Sequence, residues 1–154
     1  MIKFCVRAIG KLKNKAILSL IDDYKSRITN SLELNELEIK RSTSIAMSVV
    51  KNEEAKLLLS DVKRGSYKIA LDERGENLSS HQLAELVQNK SIAGYSSFTF
   101  FIGGADGLDD SVRSSCDKII SFGRITLPHM LARLVLIEQI YRIEKIISNH
   151  PYDK

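Results

Sequence analysis

The stretch Ser97–Leu108, SFTFFIGGADGL, decides how this chain is read. Phe98 to Ile102 is apolar throughout, as a strand covered on both faces should be, and it runs straight into Gly103-Gly104. Downstream, KIISFGRITLPH from Lys118 to His129 repeats the pattern: a short apolar strand, then a loop that ends in Pro128-His129. MLARLVLIEQIYRIEKIISNHPY follows as a long helix and a polar tail. Two loops at the ends of strands beside one long helix predict a small-molecule pocket, because open α/β sheets bind ligands beyond the carboxyl ends of their strands.

Working outward, Ile2 to Ile9 alternates as a strand with Ile2, Phe4, Val6 and Ala8 on one face, and Gly10 ends it. Ala16 to Ile28 has helical spacing, with Ile17, Leu20, Ile21, Tyr24 and Ile28 on one stripe. Leu34 to Lys40 reads as a second strand, with Leu37 and Ile39 inward. Ser42 to Lys63 reads as a helix using Ile45, Val49, Ala55, Leu58 and Leu59. Tyr67 to Leu71 is a buried strand, and Asp72 to Asn77 a polar loop beyond it. Ser79 and Gln82 have capping-box spacing before a helix that buries Leu83, Leu86 and Val87. Asp109 to Cys116 is a short helix. Strands alternating with helices predict a mostly parallel sheet with helices on both faces, in one domain spanning 1–154.

The 154 residues are 44% hydrophobic and 27% charged, with a net charge of +4, which fits a globular domain with a mild basic bias. The cations are unevenly placed: Lys3, Arg7, Lys11, Lys13 and Lys15 all precede the first acid, Asp22. They form either a solvated face or an edge for phosphates. Cys5 and Cys116 match no metal-ligand spacing, so no metal is expected. Lys3 and Arg7 interrupt the N-terminus as a signal peptide, and no apolar run reaches membrane-spanning length. The expectation is a cytoplasmic protein.

Several residues carry two readings. Gly103-Gly104 allows a ligand close to the backbone, or is a plain tight turn. Gly123 to Pro128 offers backbone groups to a nucleoside, or is a helix entry capped by Thr126. His129 is a structural residue or a base. Arg133, Glu138 and Arg142 sit in an apolar helix and need partners, across a dimer or on an anionic substrate. Leu131, Leu134, Val135, Leu136, Ile137, Ile140, Ile143, Ile146 and Ile147 spread round much of that helix, which predicts that one face meets a second subunit.

Together LDERG from Leu71, Ser79-Ser80, FFIGGADGL, ITLPHMLARLVLIEQIYRIEKI and HPY resemble the ribosomal RNA large subunit methyltransferase H family of the SPOUT superfamily. Gly10-Lys11-Leu12-Lys13 fits the family's opening. The resemblance implies a parallel α/β fold with a C-terminal trefoil knot and a homodimer with its pocket beside the subunit interface. It implies methylation, by S-adenosylmethionine, of N3 of a pseudouridine in helix 69 of 23S rRNA, on the assembled 70S ribosome. It assigns the cofactor to Leu71, Gly103, Gly104 and Gly123-Arg124-Ile125-Thr126-Leu127-Pro128, and puts the tail at Tyr152 near the pocket. RNA contacts are expected from Arg7, Lys11, Lys13, Lys15, Arg133 and Arg142. The candidates for the catalytic group are Tyr152, Asp153 and His129. In one respect the chain departs from the family: Tyr152 is followed by Asp153 and Lys154 where a His and a basic residue are usual.

Overall fold

A computed structural model describes residues 1–39 and 46–153. Five strands form one sheet in the order β2-β1-β4-β3-β5, every neighbouring pair parallel. They are β1 (Lys3–Ile9), β2 (Ser31–Leu37), β3 (Tyr67–Asn77), β4 (Ser97–Ile102) and β5 (Lys118–Ser121). The helices are α1 (Lys15–Arg27), α2 (Met47–Leu59), α3 (Ser80–Ile92), α4 (Asp110–Ser115) and α5 (His129–Ile147), and a 3-10 turn, Pro151–Asp153, follows.

The sheet is sandwiched as predicted. All six residues of the central strand β4 are buried. Phe98, Phe100 and Ile102 share one core with Phe4, Val6 and Ala8, closed by Leu83 and Val87 of α3 and Leu136 and Ile140 of α5. Phe101 faces the other way, with Ile9 and Ala70, under Ala55 and Leu58 of α2 and Val112 of α4. Alternation along β1 and β4 thus feeds two layers of helices. Local signals hold at the helix starts. Asn14 caps α1 by accepting from Ala16 and Ile17 N–H, at 3.0 and 3.1 Å. Ser79 and Gln82 form the reciprocal capping box, at 3.1 and 2.8 Å.

Several boundaries differ from the sequence reading. The second strand occupies Ser31–Leu37, three residues earlier than expected, because SLELNEL pairs residue for residue with Lys3–Ile9; Lys40 lies outside the described residues. Helix α2 starts at Met47, and Ile45 also lies outside them. Val49 and Leu20 are about half exposed, so neither belongs to its helix's buried stripe. Residues 72–77, expected as a loop, belong to β3. Leu71 and Glu76 both face Ile120, so residues 72–75 bulge out of the ladder. The bulge depends on Gly75, where a Cβ would stand 2.5 Å from the Ile120 carbonyl carbon.

Helix α5 is covered within its own chain more fully than its composition suggested. It packs against α1 and α3. Leu136, Ile137, Ile140 and Ile143 are buried there, and only Leu131 of its large apolar residues is exposed, at 39%. The apolar circumference is therefore explained largely by the monomer.

Candidate functional site

Beyond the carboxyl ends of β3, β4 and β5 lies a cavity of about 600 Å³. Its walls include Leu71, Gly103, Gly104, and Gly123 through Leu127, so the structure brings together eight of the nine residues expected at a cofactor. Pro128 is the exception: it does not line the cavity but occupies the position before α5, where its fixed φ suits a helix entry. Thr126 does not cap that helix, and α5 has no side-chain cap.

The loop after β4 is closely built. Gly107 N–H donates to Gly104 O at 3.0 Å, and Gly107 has φ +80°, which glycine adopts without strain. A Cβ on Gly103 would meet the Gly107 backbone at 2.8 Å, and one on Gly104 would meet Glu54 Oε2 at 2.8 Å. The glycines thus let the loop fold on itself and let α2 press from behind. Arg113 of α4 ties this loop to β3: Nη1 donates to Leu108 O at 2.6 Å and to Asp72 Oδ2 at 3.0 Å. Arg113 also pairs with Asp110. Burial disfavours the Arg113 charge, but its bonds to Asp110 and Asp72 outweigh this and raise its pKa.

The loop after β5 is held at its root. Ser121 Oγ accepts from Gly123 N–H at 3.1 Å and donates to Gly123 O at 3.0 Å. Gly123 turns with φ +105°. Arg124, Ile125 and Thr126 are exposed, Ile125 at 82%.

The sequence reading missed Lys51, Asp72, Arg113, Ser121 and Ala132, all of which line the cavity. Asp72 and Ser121 were findable, since each stands at the end of a predicted strand. Lys51 and Arg113 come from helices that only the folded sheet brings there.

Of the three catalytic candidates, His129 lines the cavity. Tyr152 does not. Its hydroxyl donates to Glu138 at 3.0 Å, its ring meets Tyr141 edge-on at 4.7 Å, and the Arg142 guanidinium stands 5.0 Å from its ring centroid. Glu138 is about 14 Å along α5 from His129 at 1.5 Å per residue. Within one chain the tail is therefore parked away from the cavity, against the expectation. Burial, with hydrogen bonds to Tyr24 and Glu138, pushes the Tyr152 phenol up. Asp153 ends the final turn, and its side chain lies outside the described residues.

The RNA candidates separate into two groups. Lys11, Lys13 and Lys15 are exposed. Arg7 is buried: Nε donates to Leu58 O at 2.8 Å and Nη2 to Leu57 O at 3.1 Å, which satisfies the last carbonyls of α2. The Arg133 side chain is fully buried and pairs with Glu36 at 3.1 Å. Both are interior struts, not phosphate contacts. Arg142 is held by Glu138, at 2.7 Å. Arg133 and Arg142 thus each have a carboxylate partner in their own chain.

Cys116 packs against the core under α2, and burial raises its thiol to about 11. Among the described residues no group of three His, Cys, Asp or Glu is placed to hold a metal, and no helix is long and apolar enough to cross a membrane.

A family model described as predicted SPOUT methyltransferase matches residues 2–153. The chain is 40% identical to the ribosomal RNA large subunit methyltransferase H of Alkaliphilus oremlandii over 153 residues, 96% of each chain. It is 39% identical to the protein of that name from Clostridioides difficile over 152 residues, 95% of this chain and 96% of that one. In fold it is similar to a probable methyltransferase from Bordetella pertussis, with a TM-score of 0.59 at 12% identity, covering 93% of this chain and 95% of that one. A probable methylase family protein from Haemophilus influenzae gives 0.57 at 13% identity, over 97% of this chain and 70% of that one. A parallel sheet whose strand-end loops enclose one cavity, and a match from end to end, place this chain in the SPOUT methyltransferase family.

Proposed function

We propose that the protein is an S-adenosylmethionine-dependent methyltransferase of large-subunit ribosomal RNA, acting on N3 of a pseudouridine in helix 69 of 23S rRNA in the assembled 70S ribosome. The observation that carries this reading is the cavity between the two strand-end loops, in a chain similar from end to end to proteins named for that class of activity.

The residues present fit the donor. A volume of about 600 Å³ is of the size that holds a nucleoside-sized ligand. Leu71, Ile102 and Leu127 provide apolar wall for a purine, and the backbone of 123–127 provides polar groups for its edge. Asp106 adds a carboxylate to the wall, where the Asp72 carboxylate is paired with Arg113. When bound, the donor supplies a methyl group made electrophilic by its sulfonium.

This chain's residues do the rest. The glycine loop and the 123–127 loop would hold the donor, and the positioning they provide would lower the barrier by on the order of several kcal/mol. His129, at the cavity's edge, takes the proton from N3 as its nucleophilicity develops. Lys11, Lys13 and Lys15 meet RNA phosphates. A homodimer is part of this reading. In it, the exposed Leu131 of α5 is covered by a second copy. A ribosomal substrate also makes the protein cytoplasmic.

The test is methyl transfer from labelled S-adenosylmethionine to 70S ribosomes lacking the modification, with bulk tRNA alongside. Label in helix 69 is expected. Label in tRNA alone would assign another RNA substrate, and ribosome binding without label would make the protein a non-catalytic ribosome-binding protein.

A further inference from the structure

Arg133 is the largest fully buried side chain in the described structure, and the cofactor cavity does not use it. Its guanidinium sits under the exit of β1. Nη2 donates to Ile9 O at 3.2 Å and to Gly10 O at 3.1 Å, and Nη1 donates to Glu36 Oε2 at 3.1 Å. The same Glu36 oxygen accepts Leu12 N–H at 2.6 Å. One carboxylate thus joins the long helix to the backbone of the basic loop.

The rest of that loop is equally fixed. Gly10 N–H donates to Leu37 O at 2.7 Å, and Gly10 turns with φ +94°. The Leu12 side chain is buried among Ile17, Ile21 and Ile137. Asn14 closes the loop as the cap of α1. Between these anchors, Lys11 and Lys13 alternate outward around the buried Leu12, and Lys15 follows in the first turn of the helix. A connection with no function beyond joining β1 to α1 would not need a buried cation and a shared carboxylate to hold it.

We infer that the Arg133–Glu36 clasp is a positioning device for RNA: it presets residues 10–14 as a rigid edge that presents Lys11, Lys13 and Lys15 together to a phosphate backbone. This rests on the ribosomal-RNA reading above. Ordering the loop before binding removes a cost that a floppy loop would meet on binding. Several phosphates are then neutralised at once, and the salt dependence steepens with their number. Arg133 and Glu36 touch no nucleic acid in this arrangement and act through the lysines.

A double-mutant cycle on the full chain tests this, read as affinity for 70S ribosomes across a salt series and as affinity for S-adenosylhomocysteine. Glu36→Gln keeps the shape but weakens the clasp, and Leu12→Ala loosens the loop without touching a charge. Should Glu36→Gln fail to fold, Leu12→Ala carries the same test. Either variant is expected to weaken ribosome binding about five-fold or more and flatten its salt slope. S-adenosylhomocysteine affinity should stay within about two-fold. In a background of Lys11→Glu with Lys13→Glu, the second change should add almost nothing, because it acts through those side chains. If Glu36→Gln and Leu12→Ala leave ribosome affinity unchanged, or add their full effect in that background, the clasp is a strut and the inference is wrong. If the lysine changes alone leave ribosome affinity unchanged, the basic-edge reading falls, and the clasp with it.

Discussion

The two loops that enclose the cavity are built differently. The one after β4 is braced from every side: Gly107 bonds back to Gly104, Arg113 holds Leu108 and Asp72, and Glu54 presses behind Gly104. The one after β5 is tied only at its root, by Ser121, and its tip at Arg124-Ile125-Thr126 stands in solvent. The first is a preset wall, whose tolerance for change is small because its neighbours are backbone and buried charge. The second is free to settle on a ligand. A rigid surface paired with an adaptable one suits a site that must hold a small donor tightly and also admit a large second substrate.

This contrast predicts a ranking. Gly103→Ala should do the most damage, since the new methyl group meets Gly107 backbone that has nowhere to go. We expect roughly 1–3 kcal/mol lost in denaturant unfolding, the usual cost of overpacking. S-adenosylhomocysteine affinity should fall by at least about ten-fold, the consequence of some 1.4 kcal/mol at the site. Arg113→Met follows. It leaves the nearly buried Asp72 carboxylate unpaired, and should lower stability by roughly 2–3 kcal/mol with a smaller loss of donor affinity. A wild-type melting temperature in that variant would show that the wall is not braced as described.

A region outside both loops supplies the control. Burial acts to raise the pKa of Glu144, but the backbone N–H groups of Asn30 and Thr29, with their side chains, outweigh it and hold this carboxyl below the usual range. A carboxylate with a depressed folded pKa stabilises the fold above its unfolded pKa, and that contribution is lost as pH falls through the folded value. Stability should therefore decline below about pH 4.3, the ordinary range of glutamate, and Glu144→Gln should flatten that decline in pH-dependent melts. Ser121→Ala should cost about 1 kcal/mol through the lost bonds to Gly123. Ile125→Ser is the mildest: stability should change by less than about 0.5 kcal/mol, as at other exposed sites. A large loss of stability from Ile125→Ser would mean that the second loop is as tightly built as the first.

What the sequence disclosed follows the same division. Strand β4 was legible because burial on both faces leaves a continuous apolar run, and α3 because its cap is written in Ser79 and Gln82. Eight of the nine residues expected at a cofactor line the cavity, since they stand where predicted strands end. The register of β2 was not legible: its half-buried edge residues alternate too weakly to fix their frame until Lys3–Ile9 supplies a partner. Nor was the bulge in β3, where a polar run joins the sheet through Gly75. The arginines misled for a physical reason. Arg7, Arg133 and Arg142 were read as charges seeking an anion outside, but Arg7 and Arg133 find distant partners in Leu58 and Glu36, and Arg142 finds Glu138 one turn away on its own helix. A charge in an apolar helix announces that it has a partner, and the sequence does not say where.

The central claim is that the braced glycine loop and the looser loop facing it together hold the methyl donor. Isothermal titration of the purified protein with S-adenosylhomocysteine tests it most directly, with Gly103→Ala measured alongside. The account predicts saturable binding of one ligand per cavity by the unaltered chain and at least about ten-fold weaker binding by the variant. No binding by the unaltered chain, or equal binding by both, would contradict it.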